Sequence, residues 1–265
     1  MRAVSAVDVR TIFRVASALV IFIFTCGPAS RDTTGTLHSI QRIERTLRVF
    51  AFLIISFGWF GRNAETVDFD GGKIGSAPQG WTLANTHRGD PGRWMVHPDS
   101  TAPSKPNVLA QLSADKNRAH FALALFDHGY CRDGDLSVNL KMISGKADQI
   151  AGLIWRYQDP NNYYALYLSA IEDKITVHKM VDGKATAIVQ GSGSGQISAV
   201  SRRVDPQEWN LVKIQFRDAH TIVFFNHRKL FEVEDQTFVK PGKTGVWTKS
   251  DTVAYFDDFR IDKKK

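Results

Sequence analysis

Between Val67 and Asp262 the apolar residues of this chain recur at every second position, in short runs. No long stretch carries a convincing helical period of 3.6. The runs occupy 119–126, 136–143, 175–181, 211–216, 222–225 and 254–261. Turn-forming residues fall between them, as in Asp159-Pro160-Asn161-Asn162, Asp182-Gly183 and Pro241-Gly242. Alternation puts successive side chains on opposite faces, so each run presents one apolar face to a core. Many short strands with regular turns specify an all-β sandwich or barrel. About 200 residues can bury roughly 70% of their unfolded surface, so one such domain needs no disulfide staples. Gly191–Gly195 (GSGSG) reads as a loop, since no helix follows it to make a phosphate cradle.

Charge is unevenly placed. The chain of 265 residues carries a net +7. Residues 1–65 hold eight Arg against four acidic side chains, while the rest is nearly balanced and owes its excess to Lys263–Lys265. No basic stripe marks the sandwich, which argues against nucleic acid as a partner. The two cysteines, Cys26 and Cys131, set no disulfide framework, and no Cys or His pair has zinc-ligand spacing.

The basic N-terminus contains two apolar runs, Val15–Thr25 and Val49–Phe60, each preceded by three arginines. Each has the length of a signal-peptide core and falls short of the ~20 residues of a spanning helix. We expect residues 1–65 to be a leader or membrane anchor, 66–262 the sandwich, and 263–265 a basic tail. The expected location is periplasmic, extracellular or membrane-anchored.

One hairpin assigns faces. Gly152–Gln158 (GLIWRYQ) and Tyr163–Ser169 (YYALYLS) flank Asp159–Asn162. Pairing Gln158 with Tyr163 puts Leu153, Trp155, Tyr157, Tyr164, Leu166 and Leu168 on one apolar face. The other face then carries Arg156, Tyr163, Tyr167 and Ser169, mixing rings with hydrogen-bonding groups. That mixture suits a sugar, whose C–H surface stacks on a ring while its hydroxyls need polar partners. It also suits an ordinary solvated face.

The same hairpin carries a resemblance. Gly80-Trp81, Ala102–Gln111 (APSKPNVLAQ), Gly145–Tyr164 (GKADQIAGLIWRYQDPNNYY), Glu172-Asp173, Pro241–Asp251 (PGKTGVWTKSD) and Tyr255–Phe259 (YFDDF) span nearly all of 67–262. In these the chain resembles a bacterial family of concanavalin A-like, laminin-G-like jelly-roll proteins, related to the 3-keto-disaccharide hydrolase domain. The resemblance implies an all-β jelly-roll antiparallel sandwich. The family pattern has Arg at the position of Tyr167 and Asn at Ser169 and Lys174, so it implies an altered site or ligand here.

The chemistry open to the chain is narrow. Retaining glycosidases need two carboxyl groups about 5–5.5 Å apart, and the Glu-x-Asp-x-x-Glu arrangement of laminarinases is absent. Cleavage of a 3-keto sugar by elimination would need one general base, for which Glu172 and His178 are the candidates. Trp247 and Lys249 share a strand face and could form a ring platform with an adjacent cation. Asp70, Asp257 and Asp258, near the two ends of the domain, have the hard oxygen donors that suit a structural Ca²⁺. Three functions follow as expectations: a carbohydrate-binding domain using Arg156, Tyr163, Tyr167, Trp247 and Lys249; a hydrolase or lyase acting on 3-keto sugars; or a non-catalytic interaction domain.

Overall fold

The computed structural model describes residues 64–87, 89–189 and 199–264. Both apolar N-terminal runs, Cys26 and the Gly191–Gly195 loop lie outside the described residues. Among those described there is no helix, and sixteen strands form two antiparallel sheets.

Sheet A contains β1 (Ala64–Val67), β3 (Trp94–Pro98), β4 (Asn107–Gln111), β6 (Asp133–Ser144), β12 (Asn210–Arg217), β13 (His220–Phe225), β14 (Arg228–Glu234) and β16 (Val253–Lys264). Its order is β14-β13-β12-β6-β16-β4-β3, with β1 also paired to β16. Sheet B contains β2 (Trp81–Asn85), β5 (Phe121–Cys131), β7 (Ile150–Asp159), β8 (Asn162–Ser169), β9 (Lys174–Val181), β10 (Lys184–Ala187), β11 (Val200–Ser201) and β15 (Gly242–Lys249). Its order is β10-β9-β8-β7-β15-β5-β2, with β11 also paired to β9. The sheets interleave in sequence, because neighbours such as β6 and β16, or β5 and β15, lie far apart along the chain. Lys263 and Lys264, of the expected basic tail, are the last residues of β16 and pair with Gly134 and Asp133.

Alternation on both sheets fills the space between them. The core holds Trp81, Trp94, Phe126, Trp155, Tyr164, Phe216, Phe256 and Phe259. The indole of Trp81 packs edge-on against Phe259 with centroids 4.9 Å apart, and Trp155 stacks on Tyr164 at 5.4 Å. Such aromatic pairs add about 0.5–1.5 kcal/mol each beyond the area they bury. Cys131 is buried here too, and burial pushes its thiol up to about 11.

The hairpin departs from its expected register. Asp159 pairs with Asn162 at the turn, but Trp155 pairs with Tyr164, and the ladder is irregular between Trp155 and Asp159. β7 thus carries two extra residues there, with Arg156 at a φ of 50°. This bulge corrects two assignments. Tyr157, expected in the core, lies on the opposite face, stacked on Tyr163 at 6.0 Å. Arg156, expected on the polar face, is 1% exposed: it pairs with Asp133 at 3.1 Å and donates to the carbonyls of Arg132 and Phe238. Its guanidinium also lies over the Phe216 ring. A fixed fork of five donors can satisfy several buried acceptors at once, which is why Arg can occupy this place.

Candidate functional site

The outer face of sheet B carries a second buried cluster. Its floor is built in rows across the strands. One row runs Thr176, Tyr167, Gly152, Trp247, Leu123. Gly152 has no side chain, and its neighbours close over it: the Tyr167 and Trp247 rings meet with centroids 4.2 Å apart. A Cβ on Gly152 would sit 1.9 Å from the Leu166 carbonyl oxygen and 3.4 Å from the Trp247 indole nitrogen. That nitrogen donates to the same carbonyl at 3.0 Å, which fixes the indole flat on the sheet. The next row runs His178, Ala165, Ile154, Gly245, Leu125, with small residues in two of its five places.

The His178 ring stacks on Tyr167 with centroids 3.9 Å apart. Its Nε2 lies 2.9 Å from the Thr176 hydroxyl. Its Nδ1 and the Tyr167 hydroxyl are both buried without a hydrogen-bond partner among the described residues. Buried polar atoms are normally paired, so two orphans on adjacent stacked rings mark a place for a polar ligand or ordered water. Burial, reinforced by the nearby charge of Lys249, lowers the His178 pKa to about 4, so the ring is neutral at pH 7. Burial likewise holds the Tyr167 phenol well above its usual range.

Lys249 closes one end of this face through an ion pair with Asp148 at 3.3 Å. Asp148 belongs to the 145–149 loop, and that loop is held by Asp251. The Asp251 carboxylate accepts the amides of Lys146, Ala147 and Asp148, at 2.8 to 3.0 Å. Burial opposes its charge, but those three amides win and lower its pKa. Thr252 adds two bonds, accepting from the Ile150 amide and donating to the Asp148 carbonyl.

The structure therefore brings together Tyr167, His178, Trp247 and Lys249 from β8, β9 and β15. Trp247, however, expected as an open ring platform, is 0% exposed beneath Tyr167 and Phe121, and the partly exposed groups are His178 and Lys249. Tyr163 shares the face but is 0% exposed, its hydroxyl 2.6 Å from that of Thr86. Arg156 lies away from the site, in the bulge. Glu172 stands on the β8–β9 turn with its side chain 59% exposed, 3.5 Å from Lys174. Asp148, Asp251 and Thr86 escaped the sequence reading. They lie in loops, where neither alternation nor motif spacing marks a residue, and these partners are 77 to 105 residues away.

The residues expected to hold calcium are each engaged by protein donors. Both Asp257 oxygens are used by Ser104, through its amide at 2.8 Å and its hydroxyl at 2.7 Å. Burial raises the Asp257 pKa to about 6, against these bonds. Asp70 accepts the Asn107 amide, and Asp258 accepts from Asn139. Among the described residues no three His, Cys, Asp or Glu side chains converge on a metal position. A hollow of about 230 Å³ beside Val67, Phe69, Lys73 and Val96 lies elsewhere.

Two facing antiparallel sheets in this order, with a ring-bearing outer face, define a jelly-roll sandwich of the concanavalin A-like class. Residues 65–262 match the model of the 3-keto-alpha-glucoside-1,2-lyase-like domain, and the chain belongs to that family. A search of curated proteins finds no match. Among solved structures, the carbohydrate-binding module CBM66 from Bacillus subtilis has a TM-score of 0.52 at 16% identity, over 68% of this chain and 94% of that one. The GH43 protein BlXynB from Bacillus licheniformis has a TM-score of 0.47 at 16% identity, over 78% of this chain and 40% of that one. The galectin LEC-6 from Caenorhabditis elegans has a TM-score of 0.38 at 10% identity, over 51% and 85%. At such identities the first shows a shared fold, and the other two add no argument to it.

Proposed function

We propose that the outer face of sheet B binds carbohydrate, and that the domain works outside the cytoplasm, exported or tethered by its arginine-flanked apolar leader. The observation that carries the binding reading is the pair of orphaned polar atoms on stacked rings, the Tyr167 hydroxyl and His178 Nδ1. A sugar ring offers C–H surface to the partly exposed His178 ring, which is stacked on Tyr167, and hydroxyls to the two atoms, and the Lys249–Asp148 pair supplies both a donor and acceptors. Family membership supports an α-glucoside as the ligand class. Titration calorimetry with maltose, trehalose, sucrose and their 3-keto derivatives tests this. Binding that falls at least about tenfold in His178→Ala, with the fold retained, is the expected result. Unchanged affinity in that variant would refute it.

A second reading is favoured by the neutral His178. In a 3-keto glucoside the C2 proton is acidified by the ketone. His178 Nδ1 would take that proton, the C1–C2 double bond would form, and the C1–O bond would break, releasing the aglycone alkoxide to be protonated by water or Lys249. The lowered pKa makes His178 a weak base, so the binding reading leads. Release of an unsaturated keto sugar from 3-keto-trehalose would establish turnover; its absence, with binding intact, leaves binding alone.

A further inference from the structure

We infer that this face is a chain-end site, shut on one side by a strap that admits the terminal unit of a saccharide and excludes the interior of a chain; the inference rests on the carbohydrate reading above. The strap is the segment that follows β2. Its foot is fixed at the edge of sheet B, where the Thr86 amide donates to the Phe121 carbonyl at 3.2 Å and the Phe121 amide donates to Asn85 Oδ1 at 3.1 Å. It then crosses the outer face. The Thr86 hydroxyl meets that of Tyr163 on β8 at 2.6 Å, three strands away from β5 in the sheet order. The His87 amide donates to Asn161 Oδ1 at 2.9 Å, in the β7–β8 turn. The His87 ring lies against Gly183, in the β9–β10 turn, where a Cβ would sit 2.4 Å from it. Gly183 has a φ of 78°, so glycine serves there both the turn and the approach of the strap.

The floor beneath is lowered to receive this crossing. Ala165 and Gly245 stand in the row between the Tyr167–Trp247 row and Tyr163, and a Cβ on Gly245 would meet the Ala124 carbonyl oxygen at 2.1 Å. Thr86 is 0% exposed, so the crossing is packed down. The far side of the platform is bounded by Lys249 and Asp148, on the loop pinned by Asp251. Tyr163, Ala165 and Trp247 are 0 to 1% exposed, so a saccharide can reach this face only beside the partly exposed His178, Thr176 and Lys249, and a chain running on along the strands from there meets the strap at one end or the ion pair at the other. A terminal residue, entering from above His178 and Thr176, does neither.

The test compares maltohexaose with α-cyclodextrin, which have the same six glucose units and the same linkages but differ in having chain ends, by titration calorimetry on the full chain. The inference predicts that maltohexaose binds with affinity close to that of maltose, while α-cyclodextrin binds at least about tenfold more weakly. Equal binding of the two overturns the chain-end site and leaves the carbohydrate reading standing. Binding of neither, nor of maltose, overturns both. The double variant Thr86→Ala/Asn161→Ala, which unties the strap outside the ring platform, is expected to gain cyclodextrin binding about tenfold or more. If it stays folded, keeps maltohexaose and gains nothing, the strap is not what selects the end.

Discussion

Lowering the pH from 7 to 4.5 sets two buried groups of this fold against each other. His178 takes a proton near its ordinary 6.5 when unfolded, but only at about 4 when folded, because burial and Lys249 disfavour the charged ring. The unfolded chain therefore binds the proton first. This contribution to stability is full above pH 6.5 and is lost as the pH falls towards 4. At pH 4.5 the loss reaches about 2 to 3 kcal/mol, an upper bound because the ring keeps some contact with water. Asp257 has the opposite sign. Burial raises its folded value from 3.8 to about 6, so the folded chain protonates first and gains stability as the pH falls from 6. That gain is about 2 kcal/mol at pH 4.5. Asp99, Asp127, Asp135, Asp235 and Asp251 are all lowered from 3.8, so their losses come mainly at lower pH. The wild type should thus change little between pH 7 and 4.5. Asp257→Asn removes the gain and should lose about 2 to 3 kcal/mol over that interval; His178→Gln removes the loss and should gain about 2 kcal/mol. Urea denaturation at the two pH values measures all three, and NMR titration of the His178 ring gives its folded pKa directly. A His178 titration midpoint near 6.5, or identical pH responses in the three proteins, would refute the reasoning.

Other expectations follow from particular contacts. Arg156→Met leaves the Arg132 and Phe238 carbonyls without this donor and Asp133 with only the Asp218 amide and the more distant Arg132, and should cost about 3 to 5 kcal/mol by urea denaturation; adding Asp133→Asn should recover part of it. Gly152→Ala drives a methyl group into the Leu166 carbonyl and should cost about 3 kcal/mol or more, with the Trp247 fluorescence shifted because its indole must lift. Asp251→Ala removes the acceptor of three amides, so hydrogen exchange at Lys146, Ala147 and Asp148 should accelerate while the amides of β6 stay protected.

The sandwich was legible because alternation is a local property. A strand buried on one face must repeat every second residue whatever it packs against, so the runs at 136–143 and 211–216 mark β6 and β12 without reference to each other. The same rule found Tyr167, His178 and Trp247 on one side of their strands. It failed at Arg156, because a bulge is dictated by distant partners: Asp133 and the Phe238 carbonyl lie 23 and 82 residues away, and no local signal announces them. From there outwards the expected faces exchanged, which moved Tyr157 out of the core and Arg156 into it. The strap was invisible for a related reason. Thr86 and His87 have no periodicity, and their role exists only once Asn161, Tyr163 and Gly183 have been folded beneath them.

The pairing of β1 with β16 also sets a direction. Ala64 lies beside Asp262, and β16 runs from there to Val253, a distance of roughly 30 Å for an extended strand. Val253 pairs with Ser144, at the end of the sandwich where the 145–149 loop, Asp148 and Lys249 lie. The chain thus enters the domain at one pole, and the polar edge of the ring platform sits at the other. A bulky label placed at Ala64 would therefore leave Lys249 and Asp148 clear.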